Sequence, residues 1–247
     1  MIVIVDNASM LLQNSLSEDA NQATSQSILA EPSPVEKSAR QAWLGACLQV
    51  GFSYFITHAD KPIADDIVTK YREGIAKLEQ GVPLAYVIGR QGFWRHEFKV
   101  NQYTLIPRPE TEELVEWILN SPITQHPTPF TILDIGTGTG CIPISLKANL
   151  PQANVSAIDV SEQALEVAKR NAVSNKVDIS FIQADILEVE DLSQYFDIIV
   201  SNPPYVRNLE KEEIKKNVLD YEPHLALFVE DTDALLFYRK IAQLALK

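Results

Sequence analysis

The stretch that decides the fold is Thr131-Ile132-Leu133-Asp134-Ile135-Gly136-Thr137-Gly138-Thr139-Gly140. Five residues suited to a buried strand run directly into three alternating glycines, and the segment after them reads as a helix. Glycine permits a tight turn and lets the backbone approach a ligand closely. The N-terminus of the following helix leaves N–H groups aimed into the same space. The spacing is G-x-G-x-G, with Cys141 next, rather than the G-x-G-x-x-G of nicotinamide binders.

Downstream of this turn, strands alternate with helices. Strands are expected at Thr131–Ile135, Asn154–Asp159, Val177–Gln183 and Phe196–Ser201. Helices are expected at about 140–149, 161–174, 208–217 and 233–246. Ser161 is placed to cap the second helix, with Leu165 and Ala168 on its inner face. Such alternation specifies a doubly wound parallel α/β sheet. In that architecture ligands bind beyond the C-terminal ends of the strands. Asp159 ends the second strand, where a carboxylate can accept hydrogen bonds from ribose hydroxyls. Gln183-Ala184-Asp185 ends the third, within reach of an adenine amino group. Together these features point to a nucleoside cofactor.

The fourth strand stops in Ser201-Asn202-Pro203-Pro204-Tyr205. Neither proline can donate to a ladder, so a stiff loop must project from the sheet edge. It offers the Asn202 amide, the carbonyls of Pro203 and Pro204, and the aromatic face of Tyr205. These groups suit a planar substrate carrying an NH2, although the four residues alone are also a plain proline-rich turn.

Upstream, residues 1–34 are rich in Ser, Gln, Asn and Ala and read as a disordered or weakly ordered tail. In 35–90, Ala42, Trp43, Ala46, Cys47 and Val50 share a helical face, with Gly51 as the stop. A second helix opens at Asp60-Lys61-Pro62, carries Ile63, Ile67, Tyr71, Ile75 and Leu78, and ends at Gly81 and Pro83. This small helical domain is either a structural cap or a platform for a macromolecular partner. Residues 91–107, with Phe93, Trp94, Phe98, Val100, Tyr103 and Leu105, suggest a β-hairpin linker. Residues 108–247 form the sheet domain, opening with a helix whose acidic first turn complements its dipole.

The bulk numbers narrow the function. The net charge of −12 over 247 residues supplies no basic footprint for phosphates. No apolar run approaches a membrane span, the opening Met1–Val5 run is too short for a signal core, and the first basic residue is Lys37, so a cytoplasmic protein is expected. Cys47 and Cys141 imply neither a disulfide framework nor a zinc site. His58, His96, His126 and His224 have no cluster spacing, and no metal is expected.

Asp134-Ile135-Gly136-Thr137-Gly138-Thr139-Gly140, then Asp159, then Asn202-Pro203-Pro204-Tyr205, resembles a class I S-adenosylmethionine-dependent amino-methyltransferase. Two further stretches are similar to the HemK/PrmC family, the release factor glutamine N5-methyltransferases. These are Gly81-Val82-Pro83-Leu84-Ala85-Tyr86-Val87-Ile88-Gly89 before Phe93-Trp94, and Leu105-Ile106-Pro107-Arg108-Pro109-Glu110-Thr111-Glu112. The likeness covers about residues 35–247 and implies a Rossmann-like methyltransferase fold. It implies S-adenosylmethionine as cofactor and, as substrate, the glutamine of the Gly-Gly-Gln loop of a class 1 release factor. It puts Gly136, Thr137, Gly138, Thr139 and Gly140 at the cofactor's methionine end, Asp159 at its ribose, and Asp185 with Ile186 at its adenine. Asn202, which also borders the cofactor, and Pro203 would accept from the glutamine NH2, beside Pro204, while Tyr205 packs on the amide plane. Asn202, Pro203 and Tyr205 are thus the expected catalytic set.

The same likeness leads us to expect a further strand, helix and hairpin beyond Thr232–Leu246. Since the chain stops at Lys247, the sheet is expected to lack its last strands. A monomer acting on protein, with no nucleic-acid or membrane partner, is expected. The alternatives are an adenine N6-methyltransferase on DNA or RNA, which shares the Asn-Pro-Pro-Tyr loop, and a catalytically silent binding module.

Overall fold

The computed structural model describes residues 22–125 and 129–246. The chain divides between Val87 and Ile88 into two compact units.

The first unit is helical. Helix α1 (Ser25–Ala30) starts at a capping box, in which the Ser27 N–H donates to Thr24 Oγ1 at 3.2 Å and the Thr24 N–H to Ser27 Oγ at 2.8 Å. Ile28 is buried, so the expected tail is corrected from residue 22 onward; residues 1–21 lie outside the described residues. Ser27, one of the serines that suggested disorder, caps the helix here together with Thr24. Helix α2 (Lys37–Leu48) buries Trp43, Leu44 and Cys47 but leaves Ala42 exposed. It ends in left-handed Gln49, not at Gly51. The short α3 (Tyr54–Thr57) follows. Helix α4 (Asp65–Glu79) begins later than expected, because Pro62 bridges Thr24 and the Ile63 N–H donates to Ala23 O at 2.8 Å. Trp43 Nε1–H donates to Tyr71 O at 2.9 Å, joining α2 to α4. Helix α5 (Leu84–Ile88) carries the chain across the division.

The second unit opens with a hairpin of β1 (Arg90–Phe93) and β2 (His96–Lys99). Trp94 and Arg95 both have positive φ, as a two-residue hairpin turn requires. The strain is offset by a bond from the Trp94 N–H to the Glu112 carboxylate at 3.1 Å. The hairpin ends at Lys99, short of residue 107, because the Asn101 side chain takes the Tyr103 N–H and turns the chain.

Helix α6 (Pro109–Leu119) has proline in its first turn. The sheet then forms from β3 (Thr131–Ile135), α7 (Cys141–Asn149), β4 (Asn154–Asp159), α8 (Glu162–Ser174), β5 (Ser180–Gln183) and β6 (Ile198–Ser201). Its order is β5-β4-β3-β6, all parallel. One face of β3 puts Ile132 into a core with Val115, Ile144 and Leu146; the other packs Leu133 and Ile135 against Ile158, Ile186 and Leu244. Both faces are covered, as a doubly wound sheet demands. The strand reaching β6 starts two residues later than expected, since the Asp197 carboxylate takes the Thr131 N–H at 2.7 Å before the ladder begins.

After β6, β7 (Val206–Arg207) pairs with β8 (Phe228–Val229). Between them the expected helix 208–217 is replaced by a 3-10 turn at Asn208–Glu213 and by α9 (Lys216–Tyr221). The charged run Lys211–Lys216 offers no apolar stripe to hold a longer helix. Helix α10 (Leu236–Ala245) closes the described chain. No helix among the described residues is long and apolar enough to cross a membrane.

Candidate functional site

A cavity of about 390 Å3 opens at the C-terminal ends of β3, β4 and β6, the position that strand order dictates for a ligand. Its floor is the glycine turn. Gly136 and Gly138 have φ of +75° and +54°, and an added Cβ on either would meet open space. The backbone is therefore bare where a ligand would approach. Gly140, at φ +78°, serves packing instead, since its Cβ would lie 2.9 Å from Ile144 Cδ1 and 3.2 Å from Ala168 Cβ. It lets α7 and α8 pack, and it does not line the cavity.

Asp159 braces the turn from the end of β4. Its Oδ2 accepts from the Gly138 N–H at 2.8 Å and its Oδ1 from the Ser161 N–H at 2.9 Å. Burial raises its pKa, and those N–H groups oppose the rise. Beneath the turn sits Asp134, fully buried, with neither carboxyl oxygen hydrogen-bonded; the hydroxyl of Thr137 is equally without a partner. Burial pushes Asp134 up to about 7, with a further push from the Asp159 charge. Thr137 lines the cavity, and its orphaned hydroxyl fits a ligand able to hydrogen-bond there. Cys141 also lines the cavity, but burial pushes its thiol up to about 12, so it is no nucleophile.

Asp185 and Ile186 border the cavity after β5. Asp185 is exposed, with Oδ1 accepting from the Leu187 N–H at 2.9 Å. Gln183 instead turns its amide to Val160 O at 3.4 Å. On the far side stand Asn202, Pro203 and Pro204, held by β6, where Ser201 Oγ donates to Ile135 O at 2.6 Å. Asn202 Nδ2 donates to Thr111 Oγ1 at 3.3 Å. Tyr205 lies outside the cavity wall and is 57% exposed. Of the residues singled out in the sequence, then, Gly136 to Thr139, Asp159, Asp185, Ile186 and Asn202 to Pro204 come together; Gly140 and Tyr205 do not.

Three supports escaped the sequence reading. Glu222 is buried, with Oε1 2.6 Å from Arg108 Nη2 and Oε2 accepting from the Ile106 N–H at 3.0 Å. It fastens the Leu105–Arg108 wall to the wall made by Pro223, Leu225 and Ala226. Asn171 on α8 donates to Thr139 O at 2.9 Å and Lys99 O at 3.0 Å, tying the turn to β2. A polar residue on the apolar face of α8 was its one signal. Thr111 carried none apart from its neighbours in sequence.

The glycine turn, the strand-end carboxylates and the bare backbone fit S-adenosylmethionine, with its cationic sulfonium and ammonium and its ribose and adenine. Comparison with known proteins agrees. The model for the Methyltransferase small domain matches residues 117–224, and that for the PrmC N-terminal domain matches residues 20–89. The second match begins well before residue 35, as the α1 packing requires. The release factor glutamine methyltransferase of Flavobacterium psychrophilum is 63% identical over 173 residues, 69% of this chain and 60% of that protein. The protein of that name from Koribacter versatilis is 35% identical over 199 residues, 81% of this chain and 70% of its own length. The one from Streptococcus pneumoniae is 40% identical over 195 residues, 78% and 68% respectively. Alignment with the Flavobacterium relative thus spans about 60% of that protein's length.

Proposed function

The chain belongs to the release factor glutamine methyltransferase family, and on that footing we propose that it methylates the side-chain N5 of the glutamine in the Gly-Gly-Gln segment of a class 1 peptide chain release factor. The carrying observation is that the Asn202 amide and the Pro203 backbone line the same cavity as the glycine turn. A carboxamide nitrogen is a poor nucleophile, because its lone pair is delocalised into the carbonyl. Acceptors on its two hydrogens return electron density to nitrogen and aim it.

Bound S-adenosylmethionine would supply an electrophilic methyl on a cationic sulfur, and Asn202 with Pro203 would hold the glutamine nitrogen in line with it. The glutamine proton would be lost to solvent after transfer, so no general base of raised pKa is needed. Orientation of this kind can supply up to roughly 7–11 kcal/mol of barrier lowering. In this reading Gly136 to Thr139 hold the methionine end, Asp159 the ribose, and Asp185 with Ile186 the adenine. Tyr205, at the rim, closes over the glutamine amide once substrate is seated. The helical unit receives the release factor, and the charge of −12 favours a protein over a nucleic-acid substrate.

The test is mass spectrometry of a release factor incubated with this chain and S-adenosylmethionine. The expected result is one added methyl on the Gly-Gly-Gln glutamine. Methyl transfer to an adenine-containing oligonucleotide in its place, or to neither, refutes the reading.

A further inference from the structure

We propose that Thr111 is a positioning residue that decides which end of the Asn202 amide faces the reaction; the inference rests on the function proposed above. An asparagine amide has an accepting end and a donating end of nearly equal shape. Only the oxygen can take a hydrogen from the glutamine NH2. Turned the other way, Asn202 would set donor against donor, and one acceptor of the pair would be lost.

The fixing contact is the bond from Asn202 Nδ2 to Thr111 Oγ1, at 3.3 Å. It occupies the nitrogen end rather than Oδ1, and both residues line the cavity. The hydroxyl itself is well anchored. Thr111 is buried in the first turn of α6, where its N–H donates to Arg108 O at 3.0 Å. Arg108 is held in turn by the buried carboxylate of Glu222, which also takes the Ile106 N–H. Thr111 Oγ1 thus meets Asn202 Nδ2 from a fastened helix start.

Thr111→Val keeps the shape and removes the acceptor, while Thr111→Ser keeps the acceptor. Thr111→Val is expected to lower kcat by roughly 5- to 30-fold, the worth of one hydrogen bond to an aligned group, with the KM for S-adenosylmethionine unmoved. Thr111→Ser should stay within about twofold of the unsubstituted chain. A second measurement is independent of turnover. The side-chain amide resonances of Asn202, assigned by their loss in Asn202→Ala, should shift upfield in Thr111→Val and hold their place in Thr111→Ser. Resonances unmoved by Thr111→Val overturn the proposal, as does a Thr111→Ser enzyme as slow as Thr111→Val. If the unsubstituted chain methylates no release factor while Thr111→Val still moves those resonances, the proposed function fails and the positioning role stands.

Discussion

Replacing Asp134 by Asn should make the protein's stability less sensitive to pH. Asp134 is fully buried, neither of its oxygens has a hydrogen-bond partner, and its pKa is pushed from 3.8 up to about 7, chiefly by burial. Above the ordinary carboxylate value, the unfolded chain has already released a proton that the folded chain keeps. The contribution to stability is therefore fully present below 3.8 and is lost as pH climbs to about 7. Each pH unit well inside that window removes about 1.4 kcal/mol, and the loss tapers as pH nears about 7, so moving from pH 5 to pH 7 removes about 2 kcal/mol. At about 2–4 °C per kcal/mol for a chain of this size, that is a difference of roughly 4–8 °C in Tm. Asparagine has the same shape and no proton to lose. Thermal melts of both proteins without ligand at pH 5 and pH 7 give the comparison. Relative to the unsubstituted chain, Asp134→Asn should gain several degrees at the higher pH. An equal gap at both pH values would show that Asp134 is ionised throughout and would refute the reasoning.

Other substitutions follow from contacts at named atoms. Gly140→Ala meets Ile144 Cδ1 at 2.9 Å in a left-handed backbone, so urea unfolding should show a loss of about 2–3 kcal/mol; Gly138→Ala, with open space around its Cβ, should lose only the backbone strain of about 1–2 kcal/mol. Glu222→Gln leaves Arg108 without its carboxylate and should destabilise the second unit by about 2 kcal/mol in the same assay. In the helical unit, Gly74→Ala would drive its Cβ into Trp43 Nε1 and push the indole off Tyr71 O. A loss of about 3 kcal/mol and a shift in tryptophan emission are expected. Asn202→Ala should slow single-turnover methyl transfer by roughly two to three orders of magnitude, through loss of an acceptor that acts in the transition state.

The glycine turn, β3 and β4 were legible because apolar residues bounded by turn and capping residues mark a buried strand, whereas β5 and β6 start three and two residues later than expected. Cavity-lining groups at strand ends were legible because parallel topology fixes where those ends meet. The helix starts were harder. Pro62 and Ile63 have the residue types of a helical first turn, yet their backbone pairs with Thr24 and Ala23 across 38 and 40 residues of chain. No local pattern records such a partner. Glu222 and Thr111 were hidden by the same distance, since their partners stand 116 and 91 residues away. Local spacing shows which groups could meet a ligand; the contacts that orient those groups are set by tertiary packing.

The charge layout bears on why the proposed reaction suits this cavity. Asp159 and Asp185 stand at or just beyond the ends of two adjacent strands and both line the cavity. Arg108, the one Lys or Arg among the described residues lining the cavity, is already paired with Glu222. The field there favours a cation and disfavours phosphates. In the proposed transfer positive charge does not vanish at once: it passes from sulfur to the glutamine nitrogen before the proton leaves. In that proposal Asn202 and Pro203 would present oxygens where the charge arrives, and their hydrogen bonds would strengthen as it develops. An interaction stronger in the transition state than in the ground state raises the rate rather than merely tightening binding. Asp159 and Asp185 would hold the cationic end of S-adenosylmethionine while its charge lasts, and would have no such charge to hold once the methyl has been passed on.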